Sequence, residues 1–347
     1  MRFYTNLHPY YCGIDLHSRN LYICIIDEFN EVVYHQNIPA CPEQLHAVLQ
    51  PYIGNIVVGV ECMHCWYWVA DFCEHHGIDF ILGHALYMKA IHGGKAKNDR
   101  IDALKIAKLI KGGNFPLAFT YPAKLRALRD LMRRRLHLVR YSASLKAHVK
   151  NTQSQYNRSI NHGDLRYAPN RQMLREAFAN HDVQCMVDMD LNLIDHHDQE
   201  VKRVEGYIKR QLKKHHVVNM NLLKSINGVG DVLACTISLE IGDLTRFANV
   251  KQFASYSRLV KCKAESAGKS YGTQGNKIGN AHLKWAFSEL ATLFIRNNES
   301  GKAYLAKLEK RMPKSKALSV LAHKLGRAVF FMLKHQRVFD EQRFIKG

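Results

Sequence analysis

Two short apolar runs near the start of the chain constrain its fold most strongly. Residues 56–61 read IVVGVE and residues 78–83 read IDFILG. Short runs of this kind, rich in β-branched residues, are typical of strands buried on both faces of a sheet. Helical patterns follow them, over residues 65–76 and 98–111, and Asn98 is a candidate cap for the second helix. The alternation predicts a sheet covered by helices.

Further strands are predicted ahead of these runs. Residues 11–34 contain apolar stretches broken by polar residues, which is the pattern of consecutive hairpin strands. Three paired strands followed by alternating helix and strand is the order of a ribonuclease-H-like α/β domain. We therefore expect an α/β domain over residues 1–122, a basic helical or coiled-coil arm over 123–216 and a mostly helical domain over 217–347.

The charge of the chain indicates a polyanionic partner. Lys and Arg number 50 against 30 Asp and Glu, a net charge of +20. Residues 124–150 carry nine of these cations and one acid, Asp130, with the apolar spacing of an amphipathic helix. Its other face is not rich in Trp or Phe, so nucleic acid is favoured over a membrane, and a solvated helix face is the alternative. The candidate nucleic-acid contacts are Arg126, Arg129, Arg133, Arg134, Arg135 and Arg140.

Self-association and location are also predicted from pattern. Apolar residues recur at heptad-like intervals between Ile194 and Leu212, which fits either an antiparallel helical arm or a coiled coil used for self-association. We expect no membrane-spanning helix and no signal peptide. Nine cysteines without an export signal fit reduced thiols in the cytoplasm.

Four carboxylates are candidates for a metal site. Asp15 lies in the first strand, Glu61 ends the run IVVGVE, and Asp99 and Asp102 lie three residues apart on one helix. In a ribonuclease-H-like topology these places converge at one sheet edge. Converging carboxylates repel unless cations lie between them, so we expect Mg²⁺, with Mn²⁺ as the alternative ion, for phosphodiester chemistry. The alternative for Asp99 and Asp102 is interaction with the positive end of their own helix.

Two segments of the C-terminal half could contact phosphate. Residues 222–243 show the helix–Gly-Val-Gly–helix pattern of a helix-hairpin-helix, whose backbone N–H groups can face a phosphate. Residues 261–280 form a predicted open loop, rich in Gly and Lys, that contains Ser266. Lys263, Lys269 and Lys277 could neutralise a phosphate near that hydroxyl. On composition alone, a loop whose serines only donate hydrogen bonds to DNA is the favoured interpretation.

Taken in order, six segments resemble a known family. They are GIDLHSRN, GVECMHCWYWVADFCEHHG, KNDRIDALKIAKLI, SINGVGDVLACTISLEIGD, FASYSRLV and ESAGKSYGTQGNKIGNAHLKWA. Together they resemble the insertion-sequence-110 family of DEDD transposases, to which the Piv-type DNA invertases are related. The resemblance implies a RuvC-like N-terminal domain, a coiled-coil linker and a C-terminal transposase domain.

The resemblance also implies roles for residues and partners. It implies that Asp15, Glu61, Asp99 and Asp102 hold the metal and that Ser266 is a nucleophile that forms a covalent phosphoserine link to DNA. It implies a non-coding bridge RNA that pairs with donor and target DNA. It further implies a homo-oligomer, from dimer to tetramer, in which the carboxylates of one subunit face the serine of another.

Two other classes of function remain as alternatives. One is a RuvC-like, metal-dependent Holliday junction nuclease, in which water is the nucleophile and Ser266 is structural. The other is a nucleic-acid-binding protein whose catalytic site has decayed.

Overall fold

The computed structural model describes residues 2–91, 98–158, 163–215, 217–274 and 278–346. The chain divides into two compact units, Met1–Ala123 and Lys124–Gly347. The first unit is a mixed α/β structure and the second is mostly helical, as the sequence predicts.

The first unit is built on a five-stranded sheet. Its strands are β1 (Tyr10–Leu16), β2 (Asn20–Asp27), β3 (Val32–Pro39), β4 (Ile56–Glu61) and β5 (Asp79–Gly83), in the spatial order β3-β2-β1-β4-β5. The first three strands are antiparallel neighbours, and β4 and β5 run parallel to β1. The hairpin strands and both buried strands predicted from the sequence are therefore present.

Helices cover both faces of this sheet. Its helices are α1 (Pro42–Leu49), α2 (Tyr67–His75), α3 (Ala85–Ile91) and α4 (Asp99–Lys111). On one face, α1 and α2 pack on the even-numbered residues of β1 and β4, such as Ile14 and Val60. On the other face, α4 packs on Tyr11 and Val57. The central strands are buried because both faces are covered.

The second unit contains ten helices and one hairpin among its described residues. The helices are α5 (Ala123–Gln155), α6 (Ala168–Gln172), α7 (His181–His215), α8 (Val217–Lys224), α9 (Asp231–Ile241), α10 (Val250–Tyr256), α11 (Ala281–Phe294), α12 (Glu299–Glu309), α13 (Lys314–His335) and α14 (Glu341–Lys346). Within the described ranges, no helix combines the length and the apolar character needed to cross a bilayer.

The two longest helices form an antiparallel pair. Arg135 of α5 pairs with Glu205 of α7, while His148, further along α5, pairs with Asp190, nearer the start of α7. Of the heptad-like residues, Ile194 packs against the far end of α5, and Val204, Ile208 and Leu212 enter the main core with α8–α14. These heptad-like residues therefore pack within one chain, as expected of an antiparallel arm. Self-association stays a prediction.

The sequence predicted an open loop over residues 261–280, and this prediction is wrong for residues 262–274. Cys262–Ser266 forms β6 and Lys269–Gln274 forms β7, joined by a two-residue turn at Ala267-Gly268. Both turn residues have positive φ, +50° and +73°, which matches the twist of a tight hairpin turn. Composition hid the hairpin because an alanine occupies a left-handed position that Asn or Gly normally fills.

Candidate active-site residues

Strand register brings two of the predicted carboxylates to the same sheet edge. The last paired residues of the parallel strands β1 and β4 are Ile14 and Val60. Asp15 and Glu61 follow them directly. Since alternate residues of a strand share a face, both belong to the face that α4 covers. Glu61 is half-buried and pairs with Gly83 of β5.

Two glycines allow α4 to come close to this face. A Cβ at Gly13 would lie well under 3.0 Å from the backbone of Ala103 and Ala107, and one at Gly59 would lie 2.5 Å from Ile110 Cδ1. The helix therefore rests almost directly on the backbone of β1. Its first turn, which carries Asp99 and Asp102, is held near the end of β1 where Asp15 lies.

The start of α4 is fixed by a local cap. The side chain of Asn98 accepts a hydrogen bond of 2.8 Å from the backbone N–H of Arg100. This is the cap predicted from the sequence, and it sets where the helix begins. The cap thereby fixes the positions of Asp99 and Asp102 along the helix axis.

A histidine joins the acidic edge. His17 Nε2 lies 3.6 Å from Asp15 Oδ2 and 3.6 Å from Asp99 Oδ2. One ligand atom from each of these three residues lies within 4.8 Å of the others, a spacing that suits a shared metal ion. Sequence analysis missed His17, although its position two residues after Asp15 placed it on the same side of the chain.

Like charges converge at Asp15. Burial raises the pKa of the Asp15 carboxyl, the charge of His17 opposes that effect, and the carboxylates of Asp99 and Asp102 raise the pKa further. Asp102 is partly compensated by Lys105, whose Nζ lies 3.4 Å from Asp102 Oδ1. A divalent cation would relieve this repulsion, and the carboxylate oxygens and the imidazole are donors that such a cation accepts.

Ser266 lies in the second unit, at the end of the β6–β7 hairpin. It is exposed, it directly precedes the turn, and it pairs across the hairpin with exposed Lys269. Lys263 pairs with Thr273 in the same hairpin through the backbone, and Lys277 lies outside the described residues. The hydroxyl is therefore presented by a strand end beside a lysine, rather than by an open loop.

The predicted basic face of α5 divides into two groups. Arg126 is buried, Arg129 and Arg133 donate to the carboxylate of Glu240, and Arg135 pairs with Glu205. Arg134 and Arg140 are exposed. The inward-facing arginines hold the unit together, so of the six predicted contacts Arg134 and Arg140 are the exposed ones. Sequence analysis missed Glu240 because the contact spans more than a hundred residues of chain.

Glu240 is the centre of a buried network. Its side chain is 2% exposed and also accepts a 2.7 Å hydrogen bond from Asn280, which caps α11 just after the hairpin. Burial alone would raise the pKa of this carboxyl, but the hydrogen bonds and charges of Arg133 and Arg129, with Asn280, lower it to about 2. The carboxylate is therefore ionised in the folded protein and ties α5, α9 and α11 together.

The Gly-Val-Gly segment joins two helices. α8 and α9 flank residues 225–230, where Gly228 has φ +90° and a Cβ would lie 2.8 Å from the backbone of Leu293. Only glycine suits this conformation and contact. Phosphate binding by this turn stays a prediction.

Both units match models of known families. The model of DEDD transposases of the IS110 type matches residues 12–157, and the model described as the transposase IS116/IS110/IS902 family matches residues 220–306. The chain belongs to the IS110 family of transposases.

A relative supports the same membership. The chain is 22% identical over 338 residues to the transposase for insertion sequence element IS1111A of Coxiella burnetii (strain RSA 493 / Nine Mile phase I). The similarity covers 94% of this chain and 90% of that protein. An IS110-family transposase is an enzyme that acts on DNA, and its DEDD type implies a divalent metal. All four predicted carboxylates lie in the first matched segment and Ser266 lies in the second.

Proposed function

We propose that this transposase cuts and exchanges DNA strands through a covalent link between DNA and Ser266, assisted by a metal held at the acidic sheet edge. A non-coding RNA that pairs with donor and target DNA would direct the choice of site. The observation that carries the proposal is the convergence of Asp15, Asp99 and His17 at one edge of the sheet. The covalent link is supported by Ser266 of the second unit, which is exposed and lies beside a lysine.

The topology supports a RuvC-like assignment for the first unit. An antiparallel β1–β3 meander extended by two strands parallel to β1, with an acidic residue near the end of β1 and another at the end of β4, is the arrangement expected of a ribonuclease-H-like nuclease fold. Phosphodiester chemistry at such an edge needs several carboxylates to hold cations. Asp15, Glu61, Asp99 and Asp102 are the proposed metal-holding residues, and Mg²⁺ is the proposed ion with Mn²⁺ as the alternative.

The covalent step is a phosphoryl transfer to serine. Ser266 Oγ attacks the phosphorus, the new Oγ–P bond forms, and the bond from phosphorus to the 3′ oxygen breaks. The bonding electron pair stays on that oxygen, which gains a proton as Oγ loses one, so the products are a 5′-phosphoserine link and a free 3′ hydroxyl. Attack by a 3′ hydroxyl of the partner strand reverses the step and restores serine, so no ATP is required.

This chain's own residues would orient and neutralise the reacting groups. When bound, a divalent metal supplies positive charge to the phosphate and lowers the barrier to displacement. Lys269, opposite Ser266 in the hairpin, neutralises charge beside the attacked phosphate. The hairpin strands hold the serine oxygen at a rigid end.

The charge of the chain supports the proposed RNA guidance. The net charge of +20 and the exposed Arg134 and Arg140 support binding of a second nucleic acid. In such a division of labour, base pairing selects the sequence and the protein reads mainly the backbone.

A recombination assay with matched serine variants tests the proposal. Purified full-length protein is given donor and target DNA with and without the RNA of the element's flanking region. Ser266→Ala is expected to abolish strand exchange, while Ser270→Ala, in the same hairpin and also exposed, is expected to retain it. Asp15→Ala is also expected to abolish strand exchange.

The outcomes separate the competing functions. Metal-dependent cleavage of four-way junctions that persists in Ser266→Ala would replace the proposal with a RuvC-like junction nuclease. Recombination that is unaffected by Asp15→Ala would remove the acidic edge from the mechanism. Equal recombination with and without RNA would remove the guide.

A further inference from the structure

Five cations at the junction of α12 and α13 form a charged surface outside the proposed active-site residues. The ten residues from 307 to 316 contain five Lys and Arg and a single acid, Glu309. All five cations are exposed. We call this set the corner cluster; it consists of Lys307, Lys310, Arg311, Lys314 and Lys316.

Unlike the arginines that hold the second unit together, the described cations of the corner cluster have no carboxylate partner in an ion pair. Arg129 and Arg133 bind Glu240, and Arg171 binds Asp195. By contrast, among the parts of the chain that the structure describes, no carboxylate forms an ion pair with a member of the corner cluster. The paired arginines stabilise the fold of this unit, whereas the five cations of the corner cluster are exposed to solvent.

Only part of this positive charge is held at a cost, because Lys307 and Lys310 lie at the C-terminal end of α12, where the helix dipole favours cations. The two lysines Lys314 and Lys316 lie in the first turn of α13, where the helix dipole disfavours cations and where no acid is present. Across the helix pair, Lys324 of α13 has its Nζ 4.3 Å from the ring centre of Tyr304 on α12. Burial lowers the pKa of Lys324, and the charge of Lys307 lowers it further. An external polyanion would relieve this repulsion.

The surroundings of the cluster favour contact with a phosphate backbone. Within residues 307–316 no large apolar side chain is exposed: Leu308 and Met312 are half-buried. These ten residues therefore offer no aromatic ring for stacking on unpaired bases and no exposed apolar anchor for a membrane. The closely spaced phosphates of a duplex suit such a group of flexible cations.

We propose that the corner cluster binds the sugar–phosphate backbone of double-stranded DNA, independently of sequence. Duplex DNA is the occupant because the established activity acts on DNA. The cluster begins just after residue 306, where the second family match ends, so neither matched segment includes it. Its role is to hold DNA that the active-site residues then process.

Salt dependence gives a quantitative test. Removal of one phosphate-binding cation lowers the slope of log K against log salt concentration by about 0.9. The test variant carries Lys310→Gln, Arg311→Gln, Lys314→Gln and Lys316→Gln. The matched control removes the same charge from four other exposed lysines, by Lys213→Gln, Lys214→Gln, Lys251→Gln and Lys284→Gln.

Binding of a random-sequence DNA duplex is measured by fluorescence anisotropy over a salt series, and circular dichroism verifies that each full-length variant folds. The test variant is expected to lower the slope by about 3 to 4, since four phosphate-binding cations are removed. The control is expected to change the slope by less than about 1. Affinity for duplexes of unrelated sequence should fall equally.

Three results would overturn the proposal. One is equal slopes for the test variant and the control. Another is a loss of affinity for single-stranded RNA with duplex binding unchanged. The third is loss of binding to anionic lipid vesicles alone. Because the measurement needs no strand exchange, its result is independent of whether Ser266 is the nucleophile.

Discussion

Glycine at position 13 determines how closely α4 approaches the sheet. The substitution Gly13→Ala would place a methyl group against the backbone of Ala103 and Ala107, which cannot move as a side chain can. We expect the stability of the first unit to fall by about 1–3 kcal/mol and metal affinity to fall with it, because Asp99 shifts away from Asp15. Thermal unfolding and metal titration measure the two effects.

The control for this change is a Gly→Ala substitution inside a helix, at a position where a Cβ meets no backbone. Gly206 lies inside α7, and a Cβ there would meet only the flexible end of Arg210, at 3.5 Å. Gly206→Ala is expected to stabilise the second unit by up to about 1 kcal/mol, since alanine favours helix. Unchanged stability in Gly13→Ala would show that α4 does not rest on β1 as described.

His17 is expected to tune which metal binds. Its imidazole lies between the carboxylates of Asp15 and Asp99, and a nitrogen donor suits Mn²⁺ better than Mg²⁺. His17→Asn should therefore weaken Mn²⁺ binding several-fold and Mg²⁺ binding less, as measured by calorimetric titration of the apoprotein. An equal loss for both ions, or no loss for either, would argue that His17 does not contact the metal.

The residues of the acidic edge were predictable to different degrees. Asn98 and Asp99 were predictable from local sequence because a helix cap depends only on its neighbours. The roles of Gly13 and Gly59 depend on which helix lies above them, which residue type alone does not reveal. His17 required knowing that α4 brings Asp99 beside it.

The β6–β7 hairpin carries strain in its turn. Ala267 has φ +50°, a conformation that costs a residue with a Cβ about 1–2 kcal/mol. Ala267→Asn should stabilise the hairpin because asparagine tolerates this region and Asn-Gly is a preferred turn pair. Hydrogen exchange should become slower for the backbone amides of β6 and β7.

A β-branched residue gives the opposite expectation. Ala267→Val should speed exchange at the same amides, because valine disfavours positive φ. If both variants exchange as the parent does, the turn is not the one described. This hairpin escaped sequence analysis because Gly and Lys dominate the segment and only the paired backbone reveals its strands.

Glu240 connects three helices, so its removal is expected to affect them together. Glu240→Gln leaves Arg129 and Arg133 without their carboxylate, at a cost of roughly 3–5 kcal/mol. Because the pKa of Glu240 falls from an ordinary 4.5 to about 2 on folding, its contribution is present above pH 4.5 and is lost as pH falls toward 2. Unfolding free energy measured against pH should show this loss in the parent only.

The matched control is an exposed carboxylate in an ion pair. Glu299 is 88% exposed and pairs with Lys302 within one helix turn, so Glu299→Gln should leave stability nearly unchanged. Similar losses of unfolding free energy in Glu240→Gln and Glu299→Gln would show that the buried network does not stabilise the fold more than an exposed ion pair does.

At the scale of the whole molecule, the sequence predicted the strands and helices better than the side-chain contacts between distant elements. Strand and helix patterns were sufficient for the sheet of the first unit and for the long helices of the second, because those patterns are local. The pairing of α5 arginines with Glu240 joins distant parts of the chain, and charge counting assigned those arginines to nucleic acid. Only packing distinguishes inward cations, such as Arg133, from outward ones, such as Arg134.

The two units each hold one half of the proposed chemistry. The first has the acidic edge with Asp15, and the second has the hairpin with Ser266. In the proposed mechanism, covalent capture of DNA requires both halves, whereas the alternative of metal-dependent hydrolysis would require the first alone. The DNA product, a covalent adduct or free ends, therefore shows whether one unit or both units take part in the reaction.

Mass spectrometry of the trapped protein–DNA adduct tests the central claim most directly. A nicked DNA substrate that cannot religate is incubated with full-length protein, a divalent metal and the RNA of the element's flanking region, and the digested adduct is mapped. The account predicts a nucleotide phosphate on Ser266 in the parent and in Ser270→Ala, with none in Asp15→Asn. Cleaved DNA with free ends and no modified serine, or an adduct on another residue, would contradict it.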